Sequence, residues 1–384
     1  MRPKIRVALI TNIIPKYREG FFDRIFRDEN FEIDVYCQKF IPGMNIKTIH
    51  EKYPLHVKTV RFLSAKGEKI AWQFLPWFQI IRNYDVIVVQ GNPRYLSDFF
   101  FGTFLRLINK KVVLWTMAHS YRSNSFTERL RLLWTKIFNY IFVYTDDEVN
   151  YLQKRGFQDK YLIGMNNGLD QKHIEDIKQK WSDEKLLIWK EEKKIKDRIL
   201  LVSCARIVKK NKFHVFVNAL SDIIKFKPEV LWCLIGDGDE INSIKATVVE
   251  KQLENNVLFV GEIYNQDELA PWFLNSTLFI HPAAIGLGLL QAYGFGLPVI
   301  THNNSMVHGP EFAAFFNGET GFSFNDGNCK ELAEVVIAAV NSPEKLQLIK
   351  LKVIDIVKNH YNVDIMAERL LSIISVTLNI NYIK

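Results

Sequence analysis

The chain carries none of the short signatures that would fix its function at a glance. Its 384 residues include only four cysteines, Cys37, Cys204, Cys233 and Cys329. They form no Cys-x-x-Cys pair and stand at no ligand spacing to a histidine, so buried reduced thiols are expected rather than zinc or disulfides. No run of 18 uncharged apolar residues occurs, and no helix is expected to span a bilayer. Met1-Arg2-Pro3-Lys4 leads directly into the strand-like Ile5–Ile10, which is not a signal-peptide layout. No Gly-x-Ser-x-Gly elbow, P-loop or clean Gly-x-Gly-x-x-Gly follows the first strand, so hydrolase and NAD-enzyme readings lose their main support. RNA-recognition, helix-turn-helix and zinc-finger patterns are missing as well, and nucleic acid is not an expected partner.

What is present is an ordinary globular composition, 48% hydrophobic and 24% charged. The length favours two domains. The formal charge of +8 is unevenly spread: residues 1–180 hold 29 Lys/Arg against 18 Asp/Glu, a net of +11 that leaves −3 for the remainder. A basic first half favours a negatively charged partner.

Strand-like and helix-like segments alternate along the first half. Strands are read at Ile5–Ile10, Ile33–Cys37, Val86–Gln90, Lys111–Thr116 and Phe142–Tyr144, with helices at Gly20–Arg27, Tyr95–Ile108 and Phe126–Ile141. From Asp170 to Arg198 the composition turns to Lys, Glu, Asp and Gln, which reads as a solvated helical connector. The alternation then restarts at Ile199–Cys204 and runs to Val299–Thr301. The expected architecture is α/β: two Rossmann-like, doubly wound parallel-sheet domains facing a cleft at the carboxyl ends of their strands. The boundaries are 1–170 for the first domain, 171–197 for the linker and 198–362 for the second domain. A last helix within 363–384 is expected to fold back on the first domain.

Three segments of the second half carry a recognisable pattern in order. They are Ser203-Cys204-Ala205-Arg206 running to Lys210, Leu234-Ile235-Gly236-Asp237-Gly238-Asp239-Glu240, and Ala284-Ile285-Gly286-Leu287-Gly288-Leu289-Leu290-Gln291-Ala292 with Gly296-Leu297-Pro298-Val299-Ile300. Together they resemble the family-4-type (group 1) retaining glycosyltransferases of the GT-B fold. Phe259-Val260-Gly261 and the stretch from Leu269 to Pro282 fit the same family. In the first half, Ile10-Thr11-Asn12 and Tyr17-Arg18 resemble the opening of polysaccharide and lipopolysaccharide transferases.

The resemblance implies transfer of a sugar from a nucleotide-sugar donor to a glycan or lipid-linked acceptor, with retention and without a metal or other cofactor. A leaving nucleoside diphosphate gains negative charge, which fixed positive groups stabilise. Arg206, just past a strand end, suits that task because a guanidinium grips phosphate oxygens in pairs. The family's lysine four or five residues on aligns with Asn211 here, flanked by Lys210 and Lys212, so both remain candidates. Gly286, Leu287 and Gly288 open a helix whose free N–H groups suit a diphosphate.

The family's Glu-x7-Glu pair is replaced by Ala283 and Gln291. Gln291 can still hydrogen-bond a ribose diol, and Glu311 follows the next strand within reach of the same place. His119, past the strand ending near Thr116, takes the place where family members hold a histidine toward the donor sugar. The catalytic candidates are therefore His119, Arg206 and Lys210. Asn12, Tyr17 and Arg18 are the candidate acceptor wall, with Arg18 suited to an anionic acceptor.

Asp237-Gly238-Asp239 spells a metal-binding Asp-x-Asp but lies in a glycine turn that the family shares, so no metal is expected there. Asp146-Asp147-Glu148 reads as a helix start, where acids suit the dipole. The aromatic stretches Ala71–Ile81 and Leu96–Leu107 are too short or too polar to span a bilayer, while Arg129, Arg131 and Lys136 among Leu132, Leu133, Trp134 and Ile137 read either as core or as a membrane-surface face. The expected location is cytoplasmic, with peripheral contact to an anionic membrane. A catalytically inactive subunit that binds a partner or membrane, and a sugar-nucleotide epimerase, are the alternatives.

Overall fold

The computed structural model of the chain describes residues 4–41, 46–65, 70–92, 94–118, 125–380 and 382, and all but the side chains of 125–127 among them. Two units emerge, Met1–Leu169 with Val363–Lys384, and Asp170–Asn362.

In the first unit β1 (Ile5–Ile10) is a β-branched and aliphatic run whose side chains alternate between two cores. Val7 and Leu9 join one cluster, Ala8 and Ile10 the other, the period of two that a strand buried on both faces requires. In chain order follow α1 (Glu19–Phe26), β2 (Phe31–Cys37), β3 (Val57–Thr59), β4 (Phe62–Ala65), β5 (Ile70–Gln73), α2 (Trp77–Asn83), β6 (Val86–Gln90), α3 (Leu96–Leu107), β7 (Lys111–Trp115), α4 (Ser125–Lys136), β8 (Tyr140–Val143), α5 (Asp146–Gln153) and β9 (Tyr161–Gly164). Seven strands form one sheet in the order β3-β2-β1-β6-β7-β8-β9, with every recorded pairing parallel. β4 and β5 pair antiparallel outside it. The order reverses direction between β1 and β6, so their carboxyl ends open the crevice where ligands bind in such sheets.

The second unit begins with α6 (Gln171–Lys178) and α7 (Asp183–Glu192). The stretch expected as a linker is thus two capped helices grouped with this unit. Asp170 and Ser182 accept the first backbone N–H groups of the two helices. Trp189 of α7 meets Trp272 edge-on at 4.6 Å, a contact that a purely solvated connector would not make. Then come β10 (Ile199–Cys204), α8 (Phe213–Phe226), β11 (Val230–Ile235), α9 (Ile241–Glu250), β12 (Val257–Gly261), α10 (Gln266–Leu274), β13 (Ser276–His281), α11 (Leu287–Gly294), β14 (Val299–His302), β15 (Gly321–Phe324), α12 (Cys329–Val340) and α13 (Pro343–Asn359). Six strands run parallel in the order β12-β11-β10-β13-β14-β15. The reversal here lies between β10 and β13.

The closing helix α14 (Val363–Thr377) belongs to the first unit. Its Met366, Leu370, Ile373 and Ile374 share a core with Phe21, Phe22 and Ile25 of α1. Arg24 adds an ion pair to Asp364 at 2.5 Å and Arg369 one to Asp146 at 2.7 Å. No helix among the described residues is long and apolar enough to cross a membrane. All four cysteines are free thiols, and burial pushes those of Cys37 and Cys233 up to about 12.

Candidate functional site

In the second unit the loop after the central strand β10 carries Arg206 and then a short 3-10 turn, Lys209–Asn211. The Gly236–Gly238 turn after β11 pins that loop in place. Ile207 N–H donates to the Asp237 carbonyl at 2.8 Å, and Glu240 N–H donates to the Ile207 carbonyl at 3.0 Å. The glycines are required there. A Cβ on Gly236 (φ +138°) would sit 2.1 Å from the Ala205 carbonyl oxygen, and one on Gly238 (φ +154°) 2.4 Å from that of Ile207. Asn211 completes the clamp by donating its side-chain amide to the Arg206 carbonyl at 2.6 Å.

The cations of this loop differ in what holds them. Lys212, at φ +51°, is engaged by Asp326 at 2.7 and 2.8 Å. Burial opposes ionisation of Asp326, but the hydrogen bond from Lys212 and the charge interactions with Lys212, His302 and His308 together outweigh it, and the carboxyl is held below its ordinary value. Arg206 and Lys210 are exposed, and no described residue pairs with either side chain. The structure therefore separates the two candidate lysines: Lys212 is committed to an ion pair, and Lys210 is available. Asp237 turns its Oδ1 back onto Gly238 N–H at 2.8 Å. No three His, Cys, Asp or Glu among the described residues come together as a metal-binding group.

Around β13 and β14 a second cluster surrounds the start of α11, whose N-cap is Gly286. Glu311 is only 5% exposed, and its Oε2 lies 3.3 Å from where a Cβ of Gly286 would stand. A carboxylate at that helix start gains from the dipole. It also takes up part of the positive field that a diphosphate would use. His308 accepts from Ile285 N–H at 3.0 Å through Nδ1, so its Nε2 is the donor to the His302 carbonyl at 2.9 Å. Burial pushes His308 and His281 down to about 4 and keeps both rings neutral near pH 7. Leu287 and Gly288 are half-buried, and a Cβ on Gly288 would have only Phe279 near it, at 3.9 Å. Ala283 is buried and lends only its carbonyl, to Thr301 at 3.2 Å. Gln291 donates to the Gln266 side chain at 3.1 Å.

In the first unit, a cavity of about 230 Å³ opens at the carboxyl ends of the strands. It brings together Asn12, Tyr17 and Arg18, along with Gln38, Gln90 and Arg94. The loop after β1 is fixed by Gln90, which accepts from Asn12 N–H at 2.9 Å, and by Gln73, which donates to the Thr11 carbonyl at 3.0 Å. The Arg18 guanidinium lies 5.1 Å from the Trp115 ring centre and 5.8 Å from that of Tyr144, a cation–π setting that fixes it without neutralising it. Among the described residues, three buried polar atoms in this wall have no protein partner: Arg18 Nε, Gln38 Oε1 and the Trp115 indole nitrogen. The described lining contains two arginines and no acid.

Gln38, Gln90, Trp115 and Tyr144 were not among the candidates read from sequence. Each lies at or just past the end of a parallel strand, and that position was the signal available. His119 lies outside the described residues.

Residues 186–351 match the family model of group 1 glycosyl transferases. The chain is 27% identical over 126 residues to the alpha-monoglucosyldiacylglycerol synthase of Streptococcus pneumoniae, 31% of this chain and 28% of that protein. It is 28% identical over 131 residues to the poly(glycerol-phosphate) alpha-glucosyltransferase of Bacillus subtilis, 34% of this chain and 19% of that protein. Both alignments thus span less than a third of the relative's own length. Among solved structures, HepE of Anabaena in complex with UDP superposes with a TM-score of 0.70 at 16% identity, covering 97% of this chain and 100% of that one. A likeness at that identity speaks to the fold.

Proposed function

We propose that this chain, which has the GT-B fold and matches the family model of group 1 glycosyl transferases over residues 186–351, moves a sugar from a nucleoside-diphosphate sugar to an anionic glycan or lipid-linked acceptor. The observation that carries the proposal is the pair of exposed, unpaired cations Arg206 and Lys210 on a strand-end loop clamped by the Gly236–Gly238 turn. Charge that stays unneutralised in the free protein and is held by backbone geometry is preorganised for a diphosphate. The open backbone at Gly288 and the positive end of α11 supply further N–H donors.

The acceptor belongs in the cavity of the first unit, against Asn12, Tyr17 and Arg18. Two arginines without an acid among the described lining residues suit a phosphate or carboxylate, and the Gln38 oxygen and Trp115 N–H, without described partners, suit hydroxyl groups beside it. The relatives are named for a diacylglycerol glycolipid and for poly(glycerol phosphate), a lipid and a phosphate polymer. Cell-surface polysaccharide or lipopolysaccharide synthesis fits such an acceptor.

In the reaction the bond from the sugar's anomeric carbon to the diphosphate breaks and the acceptor oxygen bonds to that carbon. The hydroxyl proton passes to the leaving phosphate oxygen, so no separate base is required. Retention, metal independence and a role for His119 rest on the family resemblance. Glu311 supplies a carboxylate beside Gly286 in place of the two that Ala283 and Gln291 lack, and we assign it to a hydroxyl of the donor.

The binding test is thermal stabilisation of the protein by a panel of nucleoside diphosphates. At least one should raise the unfolding midpoint of the native protein and leave that of Arg206→Ala unmoved. No shift with any of them would remove the donor assignment. The replaced glutamates favour a second reading, an inactive subunit, which donor turnover above background would exclude.

A further inference from the structure

Helix α3 is apolar on both sides. Phe101 and Leu105 are buried in the core, while Phe99, Phe100, Phe104 and Leu107 form an outward stripe, Leu107 at 77% exposure. A helix that is apolar all round is expected to be covered on both faces. The stripe continues onto neighbouring elements. Phe99 meets Trp134 of α4 at 5.0 Å, Phe100 meets Trp72 of β5 at 6.1 Å, and Phe104 meets Trp77 of α2 at 5.8 Å. On α4, Leu130 and Leu133 stand 51% and 65% exposed beside Trp134.

The exposed charges of α4 at this surface are basic: Arg129 and Lys136 flank Leu130 and Leu133. Asp159, which feels the charge of Lys136, is paired with Lys160 at 3.0 Å. Asp98, the only acid of α3, is wholly buried, and Glu128 on α4 is engaged by the Tyr151 hydroxyl. Arg131, read from sequence as part of such a face, is instead buried and donates to the Ala118 carbonyl at 3.2 Å. The surface is therefore made of aromatics and leucines with cations and without a free acid among its described residues.

The paired strands β4 and β5 join this face to the cavity. Phe62, Ser64 and Ala71 line the cavity, while their neighbours Leu63 and Trp72 are exposed, as the alternation of a strand dictates.

We infer that the first unit docks on an anionic lipid bilayer through the face built by β5, α3 and α4. Aromatic side chains settle at the headgroup level, and Arg129 and Lys136 meet the lipid phosphates. The chemistry fits lipid better than a protein partner, because the whole of residues 1–180 carries a net of +11 and attracts an anionic surface from all orientations. One strand pair then separates the bilayer from the cavity, so an acceptor anchored in the membrane presents its polar head to Arg18 and Arg94. Docking does not depend on the glycosyltransferase reading and is tested without substrate.

The full chain is mixed with vesicles of phosphatidylglycerol and phosphatidylcholine, or of phosphatidylcholine alone, and separated by flotation. Partitioning onto the anionic vesicles is expected, with weakening at high salt. Arg129→Glu with Lys136→Glu should weaken it roughly 25-fold, about fivefold for each of two cations near an anionic surface. Phe100→Ser with Leu133→Ser should also release the protein, with only a small drop in the unfolding midpoint because both side chains are more than half exposed. Failure of the native chain to float with anionic vesicles would overturn the inference. So would equal flotation by native chain and variants, or a dimer in sedimentation that the Phe100 and Leu133 changes dissolve, which would assign the face to a second copy.

Discussion

Arg206 carries its charge into solvent at a strand end with no described residue to neutralise it, and Lys210 stands beside it in the same condition. Lys212 does not, and the difference is testable. Lys210→Met should raise the donor KM by tenfold or more with little effect on stability, whereas Lys212→Met should act mainly through loss of the Asp326 pair. Glu311 is the residue whose role is most open to kinetics. If it holds a donor hydroxyl, Glu311→Gln lowers kcat/KM on the order of a hundredfold, the scale of one well-placed charged contact. A purely capping role would lower the unfolding midpoint and leave kinetics alone.

The neutral histidines give a pH dependence with a definite sign. Burial lowers His281 and His308 from an ordinary 6.5 to about 4. Below pH 6.5 the unfolded chain binds protons that the folded chain refuses, so stability falls as pH drops from 6.5 toward 4 and is unaffected above that window. Thermal unfolding at pH 7 and pH 5 should show the loss, and His308→Asn should make the slope shallower. These roles were only partly legible in the sequence. Arg206 and the glycines were singled out by the resemblance of their motifs to a known family, but the Lys212–Asp326 pair joins residues 114 positions apart, and nothing local announces it.

At the scale of elements, long periodic segments read well because apolar spacing decides them. β1, β6, β10 and α3 fall within a residue or two of their expected ends. The misses share a cause. β3 and β4 offer only one and two residues, Val57, Phe62 and Leu63, that look like strand core, and their pairing comes from tertiary neighbours. α6 and α7 were read as a solvated helical connector; the helices are there, but their charged faces hide how few apolar residues, Ile174, Ile177 and Trp189, are needed to seat them.

Two predictions belong here. Leu370→Ala on α14 removes a fully buried side chain from the α1–α14 core and should destabilise the first unit by about 2–5 kcal/mol. Gly236→Ala puts a Cβ 2.1 Å from the Ala205 oxygen at a φ that side chains avoid. It should cost about 2 kcal/mol or more and weaken donor binding as well, because the Arg206 loop must move. Denaturant unfolding and donor titration check the pair.

For the whole molecule, the two parallel sheets each present a strand-order reversal, and each reversal carries one half of the proposed chemistry. The basic excess of residues 1–180 sits with the apolar face and with a cavity whose described lining holds no acid. The remainder carries a net of −3, and Arg206 and Lys210 stand exposed on its strand-end loop. Arg18→Gln should accordingly raise the acceptor KM without changing donor binding, while changes around Arg206 do the reverse. Sequence pattern could assign these halves because strand-end loops carry sites in such folds. It could not show that the arginines of the cavity have no acid among their described neighbours in the lining, since that depends on which loops meet.

The most direct measurement is release of nucleoside diphosphate from a panel of nucleotide-sugars by the native chain and by Arg206→Ala. The account predicts release above background from at least one donor, reduced on the order of a hundredfold or more by the substitution. Release from none of them, or release at equal rates by both proteins, would contradict it.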